Sequence, residues 1–181
     1  MAASRRVLVL GGQRSGKSRY AERLVRASGS AWVYVATAAA GDEEIARRIA
    51  AHQIRRGAGW RTVEEPLDLA RAITHEAGEG FSVLVDCLTI WVSNLMGAGR
   101  DIEAETTRLV EALREARGDL VLVSGEVGLG IIPDNALARR YADALGTVNQ
   151  RVAEVADRVV LVAAGLPLVL KSEQTLSEVS I

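Results

Sequence analysis

The sequence predicts an α/β fold in which a mostly parallel central sheet carries helices on both faces. Short apolar runs typical of buried strands alternate along the chain with stretches whose apolar residues recur at helical spacing. Strands that alternate with helices pair in parallel, and the helices then cover the sheet. A glycine-rich segment at residues 11–18 follows the first strand and precedes the first helix. That arrangement is typical of a P-loop NTPase-like fold.

The first part of the chain predicts two strands and two helices. Residues 7–10 and 31–36 are apolar runs rich in valine, which favours buried strands. Residues 18–26 carry apolar side chains at helical spacing, which predicts the helix after the glycine-rich segment. Residues 42–55 also predict a helix, because apolar residues and His52 recur on one face.

The middle of the chain continues the alternation. Residues 60–63 predict a short strand, and residues 81–85 predict a buried strand that ends at Asp86. We expect a helix from Pro66 to about residue 76, since proline is favourable at a helix start. Residues 88–95 predict a further helix, which the glycines that follow would end.

The last part of the chain predicts two helices and three strands. Residues 102–116 show an amphipathic helical pattern, and residues 120–123 form another apolar run. A long helix is expected over residues 135–156. Two runs at residues 158–163 and 166–170 are joined by an Ala-Gly pair, which predicts a C-terminal β-hairpin.

Length and composition predict one globular domain over residues 1–181, with residues 172–181 expected to form a mobile tail. No apolar run is long enough to span a membrane, and the short run at residues 7–10 is expected to be a strand rather than a signal peptide. The formal net charge of −1 is spread along the chain, which argues against a nucleic-acid partner. The single cysteine, Cys87, excludes an internal disulfide and favours a cytoplasmic location.

The glycine-rich segment matches G-x-x-x-x-G-K-S, the phosphate-binding P-loop motif. Its residues are Gly11, Gly12, Gln13, Arg14, Ser15, Gly16, Lys17 and Ser18. Only Lys17 and Lys171 are lysines among 22 lysine and arginine residues, so a lysine in this loop indicates a need for a flexible ammonium group. We predict that backbone N–H groups and Lys17 bind phosphates, and that Ser18 is a ligand of Mg²⁺. The alternative is a glycine turn that merely joins strand to helix.

Asp86 is the second candidate for a phosphate site. It ends a strongly apolar strand, where P-loop folds place an acid that binds Mg²⁺ directly or through water. Ligands of open α/β sheets bind at the carboxyl ends of the strands. The alternative is a solvated aspartate at a strand end. The neighbouring Cys87 is interpreted as a small buried hydrophobic side chain rather than a reactive thiol.

Several segments are more specific than a general P-loop fold requires. They are Ala36-Thr37-Ala38, residues 42–53 (DEEIARRIAAHQ), residues 60–66 (WRTVEEP), Asp86-Cys87-Leu88-Thr89, residues 126–135 (EVGLGIIPDN) and Val148-Asn149-Gln150-Arg151. In this order they resemble the bifunctional adenosylcobinamide kinase/adenosylcobinamide-phosphate guanylyltransferase family of cobalamin biosynthesis. The resemblance runs from about residue 7 to residue 171. Two positions depart from it, because Gly57 and Gly125 stand where the family commonly has proline and asparagine.

The resemblance implies two reactions and a homo-oligomer, namely a trimer. ATP or GTP phosphorylates the aminopropanol hydroxyl of adenosylcobinamide. GTP then guanylylates an enzyme histidine, and GMP passes to adenosylcobinamide phosphate to form adenosylcobinamide-GDP. The histidine corresponds to His52. The implied nucleotide contacts are residues 11–18, Ala36, Thr37, Ala38, Gln53, Ile54, Arg55, Arg56, Glu64 and Asp86.

Two other functions remain open for these residues. A neutral imidazole is a competent nucleophile at pH 7, but His52 also shares a helix face with Ile45 and Ile49, which is typical of a core residue. If His52 is a core residue, the chain would be a P-loop kinase of another small alcohol. A GTP-binding switch without enzymatic activity is disfavoured, because the N-K-x-D motif that reads guanine is absent.

The sequence also suggests roles for the segment after residue 125 and for the second histidine. Residues 126–130, with Glu126 and two glycines, follow the strand at residues 120–123 and form either a plain turn or a mobile loop over the corrinoid site. His75 is interpreted as a solvated residue near a helix end.

Overall fold

Residues 5–28, 31–38 and 58–172 are described by the structure, a computed structural model. In chain order the elements are β1 (Arg6–Gly11), α1 (Lys17–Arg26), β2 (Ala31–Ala36), β3 (Trp60–Glu64), α2 (Leu69–Glu76), β4 (Phe81–Asp86), α3 (Leu88–Gly97), α4 (Ile102–Glu115), β5 (Asp119–Gly125), α5 (Ala136–Val155), β6 (Arg158–Ala163) and β7 (Leu166–Lys171). The helix expected at residues 42–55, His52 with the four residues after it, and the tail from residue 173 lie outside the described residues.

The seven described strands form one sheet in the order β3-β2-β4-β5-β1-β6-β7. Neighbouring strands are parallel from β3 to β6, and β7 runs antiparallel to β6. The chain therefore reaches the same edge of the sheet at the carboxyl end of each parallel strand. β5 lies between β1, which leads into the P-loop, and β4, which ends at Asp86.

The two faces of the sheet are covered by different helices. Successive side chains of a strand point to opposite faces, so Leu8 and Leu10 join one buried cluster while Val7 and Val9 join the other. The first cluster is covered by α2, α3, α4 and α5, and the second packs against α1 through residues such as Val25. The prediction of a mostly parallel sheet with helices on both faces is confirmed.

The predicted elements agree with the described ones within a few residues at their ends, and the C-terminal hairpin is confirmed. One helix start is wrong. We expected the helix to begin at Pro66, but α2 begins at Leu69 with Asp68 as its N-cap. The Glu65 carboxylate accepts hydrogen bonds from the N–H groups of Leu67 and Asp68, which holds these residues in a turn before the helix.

Candidate functional site

The P-loop joins β1 to α1 and folds back on itself. Gly16 has a φ of 97° and is the N-cap of α1, a left-handed conformation that glycine adopts without strain. The Ser15 N–H donates to the Gly12 carbonyl at 3.3 Å, and Lys17 Nζ donates to the same carbonyl at 3.1 Å. The ammonium group of Lys17 is therefore held at the loop itself.

The start of α1 is suited to an anion. Among the described residues no side chain caps this helix end, because its N-cap is glycine, and its first turn contains no acidic residue. The first N–H groups of a helix lack partners within the helix and carry a partial positive charge. A phosphate group placed there would accept from these N–H groups, as in other helix N-terminal anion sites.

The C-terminal hairpin supports the P-loop from one side. A Cβ atom on Gly11 would lie 2.6 Å from the Val162 carbonyl oxygen of β6 and 2.5 Å from Ser15 Oγ. In the turn between β6 and β7, the Gly165 N–H donates to the Ser15 carbonyl at 2.8 Å. Glycine at position 11 is thus needed for the close packing of loop against hairpin.

The sheet register brings distant parts of the sequence to one edge. Ala36 at the end of β2 is paired with Glu64 of β3 on one side and with Asp86 of β4 on the other. On its other side β4 pairs with β5, and β5 pairs with β1. Gly11 and Gly125 are the last paired residues of β1 and β5. The described residues that the resemblance assigns to nucleotide binding therefore lie along one edge. Gln13, Arg14 and Glu64 are exposed there.

Lys17 and Asp86 both act electrostatically on Cys87. The pKa of the Cys87 thiol is raised to about 11, mainly by burial and less by the negative charge of Asp86, while the positive charge of Lys17 acts in the opposite direction. The charges of Asp86 and Lys17 thus have opposite effects on the pKa of this thiol. The thiol stays protonated at neutral pH, which agrees with a packing role rather than a nucleophilic one.

Thr37 joins the end of β2 to the segment after β4. Its fully buried hydroxyl accepts from the Cys87 N–H and donates to the Cys87 carbonyl, both at 2.8 Å. The Thr37 carbonyl in turn accepts from Asn94 Nδ2 of α3 at 2.8 Å. Because the Thr37 hydroxyl makes both of these bonds to the Cys87 backbone, it holds the end of β2 against the segment that follows β4. No local sequence motif indicates this role of Thr37.

The end of β5 is fixed in the same way. The Gly125 N–H donates to Thr89 Oγ1 at 2.6 Å, and Asn149 Nδ2 donates to the Gly125 carbonyl at 3.1 Å. The next residue, Glu126, donates its N–H to the Gly11 carbonyl at 3.1 Å. Thr89 and Asn149 belong to two of the short segments noted in the sequence, but only the structure reveals their shared partner.

The proposed metal ligands have suitable chemistry. Ser18 lies in the first turn of α1 and Asp86 ends β4 with a buried Oδ2 atom. A hydroxyl and a carboxylate fit Mg²⁺, which takes few protein ligands and completes its shell with water and phosphate oxygens. Over the described ranges, no cluster of three or more His, Cys, Asp or Glu residues could form a metal cage of protein ligands alone.

Two other expectations concern the helices. His75 is exposed in the last turn of α2, as predicted. Within the described ranges, none of the helices combines the length and apolar character needed to cross a membrane.

Comparison with known proteins identifies close sequence relatives. The family model described as cobinamide kinase / cobinamide phosphate guanyltransferase matches residues 7–170. The bifunctional adenosylcobalamin biosynthesis protein CobP of Pseudomonas aeruginosa is 51% identical over 170 residues, which are 93% of this chain and 98% of CobP. The bifunctional adenosylcobalamin biosynthesis protein CobU of Salmonella typhimurium is 39% identical over an alignment of length 180, which covers 91% of this chain and 99% of CobU.

Solved structures resemble the fold at much lower identity. A prototypical ATPase from the type III secretion system of pathogenic bacteria superposes with a TM-score of 0.57 at 13% identity, covering 100% of this chain and 60% of that one. The RadB recombinase gives a TM-score of 0.52 at 16% identity, covering 88% of this chain and 74% of that one. These similarities confirm the P-loop NTPase-like fold class and say nothing further about activity.

Proposed function

Because this chain belongs to the cobinamide kinase / cobinamide phosphate guanyltransferase family, we propose that it catalyses both reactions on adenosylcobinamide. It phosphorylates the substrate with ATP or GTP and then transfers GMP from GTP to adenosylcobinamide phosphate. The observation that carries the proposal is the P-loop, whose lysine and uncapped helix start lie at the same sheet edge as Asp86.

In the kinase step, the substrate hydroxyl oxygen attacks the γ-phosphorus of the nucleotide. A bond forms between them as the bond from the γ-phosphorus to the bridging oxygen breaks, and the hydroxyl proton is released. Lys17 and the first N–H groups of α1 hold the phosphates in line and stabilise the charge that develops on them. This step needs positioned charges and no nucleophile from the protein.

In the guanylyl step, a ring nitrogen of His52 attacks the α-phosphorus of GTP, and pyrophosphate leaves. A phosphate oxygen of adenosylcobinamide phosphate then attacks the same phosphorus, which forms adenosylcobinamide-GDP and restores the imidazole. His52 lies outside the described residues, and the resemblance to the family supports its role. Gln53, Ile54, Arg55 and Arg56 are proposed nucleotide contacts on the same ground.

Ser18 and Asp86 would hold the Mg²⁺ ion that accompanies the nucleotide, and the bound ion would neutralise phosphate charge. Gly11 to Gly16 would contribute backbone contacts to the phosphates, and Ala36, Thr37, Ala38 and Glu64 are further proposed nucleotide contacts. We further propose a homotrimer of single-domain subunits in the cytoplasm, with no nucleic-acid partner.

The two half-reactions separate this proposal from a kinase of another small alcohol. We expect His52→Ala to abolish the covalent GMP adduct and guanylyl transfer while phosphorylation of adenosylcobinamide continues. The adduct, trapped with α-labelled GTP, should be stable in alkali and labile in acid, as a phosphoramidate is. His75→Ala is the matched control, because it removes the other histidine from an exposed helix position, and it should leave both reactions unchanged.

Two outcomes would contradict the role of His52. One is a GMP adduct that persists in His52→Ala. The other is an equal loss of both reactions together with a lower melting temperature, which would assign the histidine to the protein core.

A further inference from the structure

The segment from Glu126 to Asn135, which connects β5 to α5, presents large apolar side chains to solvent. We call it the β5–α5 loop. Ile131 is 97% exposed and Leu129 is 83% exposed, and Ile132 and Val127 are also exposed. None of these four side chains belongs to the buried clusters formed by the described residues. Exposed apolar patches of this kind commonly mark a binding surface.

The start of this loop is held beside the P-loop. Gly125 is bonded through its N–H and its carbonyl to Thr89 and Asn149, and the Glu126 N–H donates to the Gly11 carbonyl at 3.1 Å. The apolar side chains therefore begin next to the first residue of the phosphate-binding motif. A molecule bound at the start of the loop would therefore lie near the phosphate-binding motif.

The end of the loop is also held. Asn135 caps α5 by accepting from the Leu137 N–H at 2.8 Å, and Arg139 Nη1 donates to the carbonyls of Pro133 and Asp134 at 2.8 and 2.6 Å. With both ends fixed, the exposed side chains between them are presented from a defined position rather than from a free chain end.

The chemistry of the loop fits a neutral, apolar ligand. Residues 127–133 (VGLGIIP) contain no charged side chain. Gly130 is not required by local packing, because a Cβ atom there would meet nothing within 4 Å and its φ lies outside the left-handed region. Because glycine has no side chain, its backbone here is open to close approach by a ligand.

We propose that the β5–α5 loop binds the corrin ring of the cobinamide substrate through Leu129, Ile131 and Ile132. This inference rests on the proposed function, which requires the hydroxyl on an arm of the ring to reach the γ-phosphate. A corrin ring is broad, rich in methyl groups and edged with amides. The apolar side chains would cover its face, and the backbone around Gly130 would meet the amides at its edge.

The test compares corrinoid binding with nucleotide binding in the same variants. We expect Leu129→Ser and Ile131→Ser each to raise the dissociation constant for adenosylcobinamide, measured by equilibrium dialysis, by about tenfold. The dissociation constant for GTP and the melting temperature should not change, since these side chains are exposed. Leu168→Ser is the matched control, because Leu168 is an exposed leucine on the edge strand β7, and it should bind both ligands as the wild type does.

Three outcomes decide whether the β5–α5 loop binds the corrinoid. Weakened corrinoid binding at an unchanged molecular mass in sedimentation would support the proposal. Unchanged corrinoid binding in the doubly substituted Leu129→Ser, Ile131→Ser protein would overturn it. Dissociation of an oligomer in these variants would also overturn it and would assign the loop to a contact between copies of the chain. Because binding is measured without turnover, failure of the kinase reaction is distinguishable from failure of this loop assignment.

Discussion

Gly11 and Gly12 are neighbours in the P-loop, but only one of them is required to be glycine by its surroundings. A Cβ atom on Gly11 would lie within 2.6 Å of the Val162 carbonyl oxygen, whereas a Cβ atom on Gly12 would meet nothing within 4 Å. The difference is one of packing, because neither residue has a φ in the left-handed region.

We therefore expect Gly11→Ala to destabilise the protein and to weaken nucleotide binding, while Gly12→Ala has little effect on stability. Forcing an extra methyl group into close-packed structure costs about 1–3 kcal/mol. Urea unfolding and a nucleotide-binding titration would measure the two effects. Equal stability of the two variants would contradict the packing of the P-loop against β6.

Cys87 provides a prediction about pH. Its pKa in the folded protein is raised from 9.0 to about 11, with burial as the main cause. Between these values the folded state binds more protons than the unfolded state, so the free energy of unfolding should fall as the pH rises from about 9 to about 11. Comparing the pH dependence of unfolding in the wild type and in Cys87→Ala would isolate this contribution.

The raised pKa of Cys87 also predicts slow alkylation of its thiol at pH 8. At pH 8 the folded protein should react with iodoacetamide much more slowly than the urea-unfolded chain, since the thiolate is the reactive form. Rapid alkylation of the folded protein at pH 8 would show that the thiol is activated and would reopen a catalytic role for Cys87.

At the scale of elements, one buried hydroxyl joins β2 to the segment that follows β4. Thr37 exchanges two hydrogen bonds with the backbone of Cys87, and its carbonyl is held by Asn94 of α3. The carboxyl ends of the two strands are thereby fixed relative to each other. Asp86 belongs to one of these ends, so its position depends on this link.

Replacing the Thr37 hydroxyl should lower the free energy of unfolding. Thr37→Val keeps the shape of the side chain but leaves the Cys87 N–H without its partner, which typically costs about 1–3 kcal/mol for a buried group. Thr147→Val is the matched control, since Thr147 is exposed on α5 and its hydroxyl bonds only within the helix. If chemical denaturation gave the two variants the same stability, the link would have no structural importance.

At the scale of the whole molecule, the sheet edge is where a nucleotide would bind and stabilise the fold. A ligand that binds only the folded state at 100 times its dissociation constant adds about 2.7 kcal/mol, which corresponds to roughly 5–10 °C in melting temperature for a chain of this size. We expect GTP with Mg²⁺ to produce a shift of this order. Chelation of the metal with EDTA should remove much of it.

The role of Asp86 is tested by the same measurement. Asp86→Asn keeps the shape of the side chain and removes one charge near the proposed metal position. The Mg²⁺-dependent part of the thermal shift should shrink in this variant and recover in part at high Mg²⁺. An unchanged magnesium dependence would assign Asp86 to structure alone.

The amino-acid sequence by itself determined the alternation of strands and helices, the P-loop and the family. These features are local, because strand and helix periodicity, glycine spacing and short motifs are all carried by neighbouring residues. The prediction that α2 begins at Pro66 is wrong, because a side-chain hydrogen bond delays the start of the helix. The Glu65 side chain holds a turn after Pro66, and a preference for proline at helix starts does not register such a bond.

Only the tertiary structure decided how distant segments meet. The strand order places β5 between β1 and β4, the hairpin turn supports Ser15, and Thr89 and Asn149 converge on Gly125. These contacts join residues far apart in the chain, and each depends on sheet register and helix packing. Register follows from the pairing of whole strands, so no single segment of the sequence contains it.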